Sequence, residues 1–86
     1  MSVRESIEQT LADQFVPDLL EVIDESDRHR GHQGWREGGE THFRVRISSP
    51  RLEGLSRVGQ HRAINAALAP QFRAGVHALA IEVVRS

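Results

Sequence analysis

The chain has 86 residues, 11 of them arginine and none lysine, against 12 acidic residues, for a formal charge of −1. That suits one small domain and denies it a global basic field for attracting nucleic acid. It contains no cysteine, which excludes disulfides, thiolate zinc sites and an all-thiolate iron–sulfur cluster held by this chain alone.

No apolar run approaches the ~20 residues of a membrane span, and the N-terminus lacks a basic-then-apolar signal pattern. The expectation is a soluble, cytoplasmic protein, monomeric when alone. The arginine-only usage reads as compositional bias, although arginine suits bidentate contacts.

Ser2 and Glu5 have the spacing of a capping box. Val3, Ile7 and Leu11 recur every four residues, which predicts a helix running to about Gln14. Pro17 opposes its continuation. Leu19–Asp24 reads as a short, partly apolar strand. Residues 26–39, SDRHRGHQGWREGG, hold four glycines and no apolar period. They predict a mobile, exposed loop, long enough to suggest function beyond connection.

A second strand follows from Glu40. Phe43, Val45 and Ile47 alternate with His42, Arg44 and Arg46, giving one apolar and one polar face. The intervening loop makes the two strands antiparallel neighbours. Ser48-Ser49-Pro50 turns the chain, since Pro50 cannot donate to a ladder. Gly54 closes that turn, and Ser56 offers a cap to a helix from about Arg57 that carries Ile64, Ala67 and Leu68.

Pro70 disturbs this helix, leaving room for a short second turn through Phe72, and Gly75 ends it. The last strand is expected over His77–Val84. A helix lies in its connection, so it should run parallel to the strand before it. The order helix-strand-strand-helix-strand predicts an α+β fold: a single domain over 1–86, with helices packed on a mixed three-stranded sheet. The expected core is Phe43, Val45, Ile47, Ile64, Leu68, Leu79 and Ile81.

Histidine is the residue type best suited to site chemistry here: His29 and His32 in the glycine-rich loop, His42 on a strand's polar face, His61 in the helix and His77 at the last strand. Each also has an ordinary structural reading, as a solvated loop, sheet-face, helix-surface or core-edge residue. The glycines do not make a phosphate loop, because no Gly-Lys-Ser/Thr leads into a helix. No nucleophile–base pair is suggested by spacing, so an enzyme is not expected.

Six fragments in this order, LEVIDES, ETHFRV, EGLSRV, the pair His61-Arg62, Ile64-Asn65 and VHALAI, together resemble the BolA family across most of residues 19–82. Leu52 and Gln60 depart from its usual Phe and Arg, and Gln60 removes one positive charge from the helix. The resemblance implies a KH-like fold of the second class. It also implies a heterodimer with a monothiol glutaredoxin that shares a 2Fe-2S cluster, used in iron–sulfur trafficking or iron sensing.

In that family the chain's cluster ligands come from the VHALAI-like segment, here His77, and from the loop between the first strands. His29 is the best match in the loop, with His32 as the alternative. Thiolates would come from the glutaredoxin cysteine and glutathione. Trp35 would report on this loop. The resemblance also implies a second role, a DNA-binding transcriptional regulator contacting DNA weakly through Arg51, Arg57, His61 and Arg62.

Overall fold

A computed structural model describes residues 2–25 and 42–85. Helix α1 (Val3–Phe15) begins with a complete capping box. Ser2 Oγ accepts from the Glu5 N–H at 3.1 Å, and Glu5 Oε1 accepts from the Ser2 N–H at 3.3 Å. The Ser2 N–H is the largest influence on the Glu5 carboxyl, and with the Ser2 hydroxyl it holds that group below the usual carboxylate range.

The apolar stripe runs one residue beyond the expected end, burying Ile7, Leu11 and Phe15. Val16 stops the helix in the left-handed region, at φ 43° and ψ 60°. Pro17 disfavours the right-handed helical conformation for Val16, whose N–H makes the last regular helical bond, to the Ala12 carbonyl at 3.1 Å. A β-branched residue is strained at positive φ. Val16 is 60% exposed, so packing offsets little of that strain.

Strands β1 (Leu19–Asp24), β2 (His42–Ser48) and β3 (Ala78–Val83) form one sheet in that order. β1 is antiparallel to β2, and β3 is parallel to it. The parallel crossover carries α2 (Arg57–Ala67) and a short α3 (Ala69–Arg73). Ser56 caps α2 by accepting from the Gly59 N–H at 3.1 Å. Gly54 makes the preceding turn at φ 88°, a conformation that needs a glycine.

The register fixes what each face carries. Val22, Val45 and Ile81 form one row towards the helices, and Leu20, Ile47 and Val83 form the next. Phe43, Val45, Ile47, Ile64 and Leu68 are fully buried, with Leu79 and Ile81 packed half-buried against them. Ile7, Leu11, Phe15, Val22, Leu52 and Val76 complete the core.

Two buried polar residues tie the layers together. Ser49 Oγ donates to the Phe15 carbonyl and accepts from the Arg51 N–H, joining the end of β2 to the end of α1. Gln71 Nε2 donates to Ser6 Oγ at 2.9 Å and Thr10 Oγ1 at 3.0 Å, joining α3 to α1. Among the described residues, no helix is long and apolar enough to cross a membrane.

Candidate functional site

β1 runs opposite to β2 and β3, so the C-terminal end of β1 and the N-terminal ends of β2 and β3 meet at one end of the sheet. Glu25, His42 and His77 lie there. The Glu25 N–H donates to the His42 carbonyl at 2.8 Å, extending the β1–β2 ladder by one step. The Glu25 carboxylate accepts from Arg44 Nε at 3.1 Å.

The last strand starts one residue later than expected, and this re-aims His77. Continued alternation would place His77 on the core face with Leu79 and Ile81. The ladder instead begins at Ala78, which pairs with His42 on the opposite face. His77 is exposed and precedes the ladder. Its ring lies beside that of His42, with centroids 6.2 Å apart and planes 15° from parallel. Behind it, buried Val76 and the turn at Gly75, with φ 128°, fix the approach.

His42 is the residue that sequence reasoning missed. Alternation places His42 on the polar face beside Arg44 and the register keeps it there, yet it is only 7% exposed and its ring lies against His77. The parallel register that joins them has no local sequence signature. His29, His32 and Trp35 lie outside the described residues.

Neutral imidazoles are good iron ligands, and two of them can occupy half the positions on one iron. Among the described residues, no group of three or more His, Cys, Asp or Glu could hold a metal ion. His77, exposed at the sheet end, is an imidazole open to a group carried by another molecule.

The outer face of the sheet is crossed by an ion-pair ladder. Arg46 reaches Glu21 on β1 at 2.7 Å and Glu82 on β3 at 2.8 Å. The hydrogen bond to Glu82, with the charges of Glu21 and Glu82, raises the affinity of this guanidinium for its proton.

The expected nucleic-acid residues divide. Arg57 and His61 line a cleft of about 370 Å³ with Leu55 and Gln60, facing Ile81, Glu82, Val83 and Arg85. Arg62 is exposed on the same helix. Arg51 is engaged elsewhere: its Nη1 donates to the Gln14 carbonyl at 2.8 Å, at the C-terminal end of α1. Gln60, where the family often has Arg, donates to the Leu52 carbonyl at 3.1 Å and so braces the turn before α2.

The family model described as BolA-like protein matches residues 11–85. The chain belongs to the BolA family. This BolA-like chain is 54% identical over 83 residues to a Sinorhizobium protein described as an uncharacterized protein in the cobS 5' region, covering 95% of this chain and 89% of the other. It is 42% identical over 79 residues to the DNA-binding transcriptional regulator BolA of Vibrio cholerae, covering 92% and 71%. Among solved structures, the BolA domain of SufE1 from Arabidopsis thaliana superposes with a TM-score of 0.88 at 38% identity, covering 99% of this chain and 93% of that one. The BolA fold thus accounts for the helices and mixed sheet, and for the order in which they occur.

Proposed function

We propose that this chain is a binding module that pairs with a monothiol glutaredoxin and co-ligates a 2Fe-2S cluster, for iron–sulfur trafficking or iron sensing. The observation that carries this reading is the exposed His77 at the one sheet end where segment 26–41 begins, at Glu25, and returns, at His42. His29, or His32 in its place, belongs to that segment and would supply the second imidazole. The chain has no cysteine, so the remaining thiolates fall to the glutaredoxin cysteine and glutathione. Imidazole ligation on one iron raises the reduction potential relative to all-thiolate ligation. The mixed complex would then hold its cluster differently from a glutaredoxin homodimer.

Anaerobic co-purification with a monothiol glutaredoxin tests this, read by visible absorption and circular dichroism. Pulsed electron paramagnetic resonance of the reduced complex reports nitrogen couplings. His77→Ala should abolish those couplings. His29→Ala should weaken them, and the double change His29→Ala with His32→Ala should match His77→Ala. Couplings left intact by His77→Ala would make His77 a structural residue.

A second reading is a DNA-binding regulator. It is supported by relatives named DNA-binding transcriptional regulator BolA in Vibrio cholerae and Escherichia coli, and by the cleft that holds Arg57 and His61. Arg57 and His61, with Arg62, would contact phosphates. Titration of duplex DNA at several salt concentrations tests it.

A further inference from the structure

We infer that His42 is a positioning residue for His77, a buried aromatic wall that fixes the orientation in which the exposed imidazole meets a metal-bearing partner. The inference rests on His77 being a ligand, as proposed above, and it concerns a residue to which that reading gives no part.

The two rings differ in what they can reach. A ligand to a group carried by another molecule has to present a nitrogen to solvent. His77 is exposed and can do so; His42, at 7% exposure, is far less available. His42 does present a ring face. At 6.2 Å between centroids and 15° between planes, the pair falls within the ~4.5–7 Å of favourable offset-stacked aromatic contacts.

The backbone makes this wall rigid. His42 is paired with Ala78 in the β2–β3 ladder, and its carbonyl accepts from the Glu25 N–H at 2.8 Å. The ring of His42 is therefore carried at the junction of all three strands. His77 has weaker support. It precedes the ladder and is exposed. Without a wall, its side chain would sample several rotamers and would have to be ordered on binding. The ordering cost of one such side chain corresponds to a loss of affinity of about two- to tenfold.

The test compares two replacements of similar bulk. His42→Leu fills the space without a ring, and His42→Phe restores the ring without a nitrogen. In the isolated protein, the imidazole proton and carbon resonances of His77 should shift in His42→Leu towards those of a freely rotating histidine, with faster side-chain relaxation. His42→Phe should retain a displaced, ordered His77. In the glutaredoxin complex, His42→Leu should weaken association about two- to tenfold while the nitrogen couplings of His77 persist, and His42→Phe should restore wild-type affinity.

Two results would overturn the inference. If His42→Phe fails like His42→Leu and loses nitrogen couplings, His42 is itself a ligand. If neither change moves the His77 resonances, the stack positions nothing. The resonances are read without a partner. A wild-type complex lacking nitrogen couplings would therefore fell the cluster reading and still leave the resonances to decide the role of His42.

Discussion

Ile64 sits on α2 under the sheet and is 0% exposed. Replacing it with alanine removes three buried carbons. At ~0.8 kcal/mol per buried methylene, the transfer loss is about 2.4 kcal/mol. A residual cavity on the order of 50 Å³, at ~24 cal/mol per Å³, adds about 1.2 kcal/mol. Alanine's better helix propensity returns roughly 0.4 kcal/mol. The net cost is then about 3 kcal/mol. A domain of 86 residues has a total stability of roughly 4–13 kcal/mol, so the change should be plain in a urea titration followed by far-ultraviolet circular dichroism, with an unchanged slope. Leu68→Ala, at 1% exposure, should cost a similar amount. Val58→Ala is the control, since Val58 lies on the same helix and is 59% exposed; its effect should stay within about 0.5 kcal/mol. If Ile64→Ala and Leu68→Ala both cost under about 1 kcal/mol and match Val58→Ala, the core is not where the packing puts it.

Val16→Asn should raise stability by about 0.5–1 kcal/mol, because asparagine tolerates the left-handed conformation that strains valine; a lower urea midpoint would refute this. Ser49→Ala leaves the Phe15 carbonyl and the Arg51 N–H without their shared hydroxyl and should cost about 1–3 kcal/mol by the same titration. Glu5 contributes through a depressed carboxyl pKa, so its stabilisation is present above the unfolded pKa and is lost as pH falls through the folded one. The midpoint advantage of the wild type over Glu5→Gln, which keeps a capping acceptor, should shrink on acidification through the carboxylate range. Duplex DNA binding should be weak and fade with salt, and Arg57→Ala and Arg62→Ala should each reduce the salt slope by about 1; tight, sequence-selective binding at physiological salt would favour the regulator reading instead.

The parts of the fold that were legible in the sequence are those governed by local rules. The capping box at Ser2 and Glu5, the cap at Ser56, the alternation through Phe43, Val45 and Ile47, and the breaks at Pro17 and Pro70 each depend on a few neighbouring residues. Antiparallel and parallel pairing followed from what lies between the strands. The buried polar ties were not legible. Gln71 finds Ser6 and Thr10 across 61–65 residues of chain, and Ser49 finds Phe15 across 34. A polar residue on a helix or in a turn looks the same whether it is solvated or buried against a distant hydroxyl. Neither the exposure of His77 nor its neighbour was legible from alternation. Parity carried back from Leu79 and Ile81 assigns His77 to the core face, but His77 precedes the ladder and its ring lies beside that of His42.

The two candidate surfaces use opposite ends of β3. The imidazole end lies before Ala78, while the Arg57 and His61 cleft faces Ile81, Glu82, Val83 and Arg85. At ~3.3 Å per strand residue, roughly 13 Å of strand separates His77 from Ile81, and the two surfaces share no side chain. Between them β3 is locked to β2 by its ladder, and Glu82 is tied through Arg46 to Glu21 on β1. Coupling between two ends of a strand requires an element with two arrangements, and the ladder and ion pairs hold β3 in one. Coupling between a cluster-bearing partner and nucleic acid would therefore have to come from the partner's own bulk or charge reaching along the sheet. Substitutions at His77 or His42 then bear on the first surface alone, and substitutions at Arg57 or Arg62 on the second.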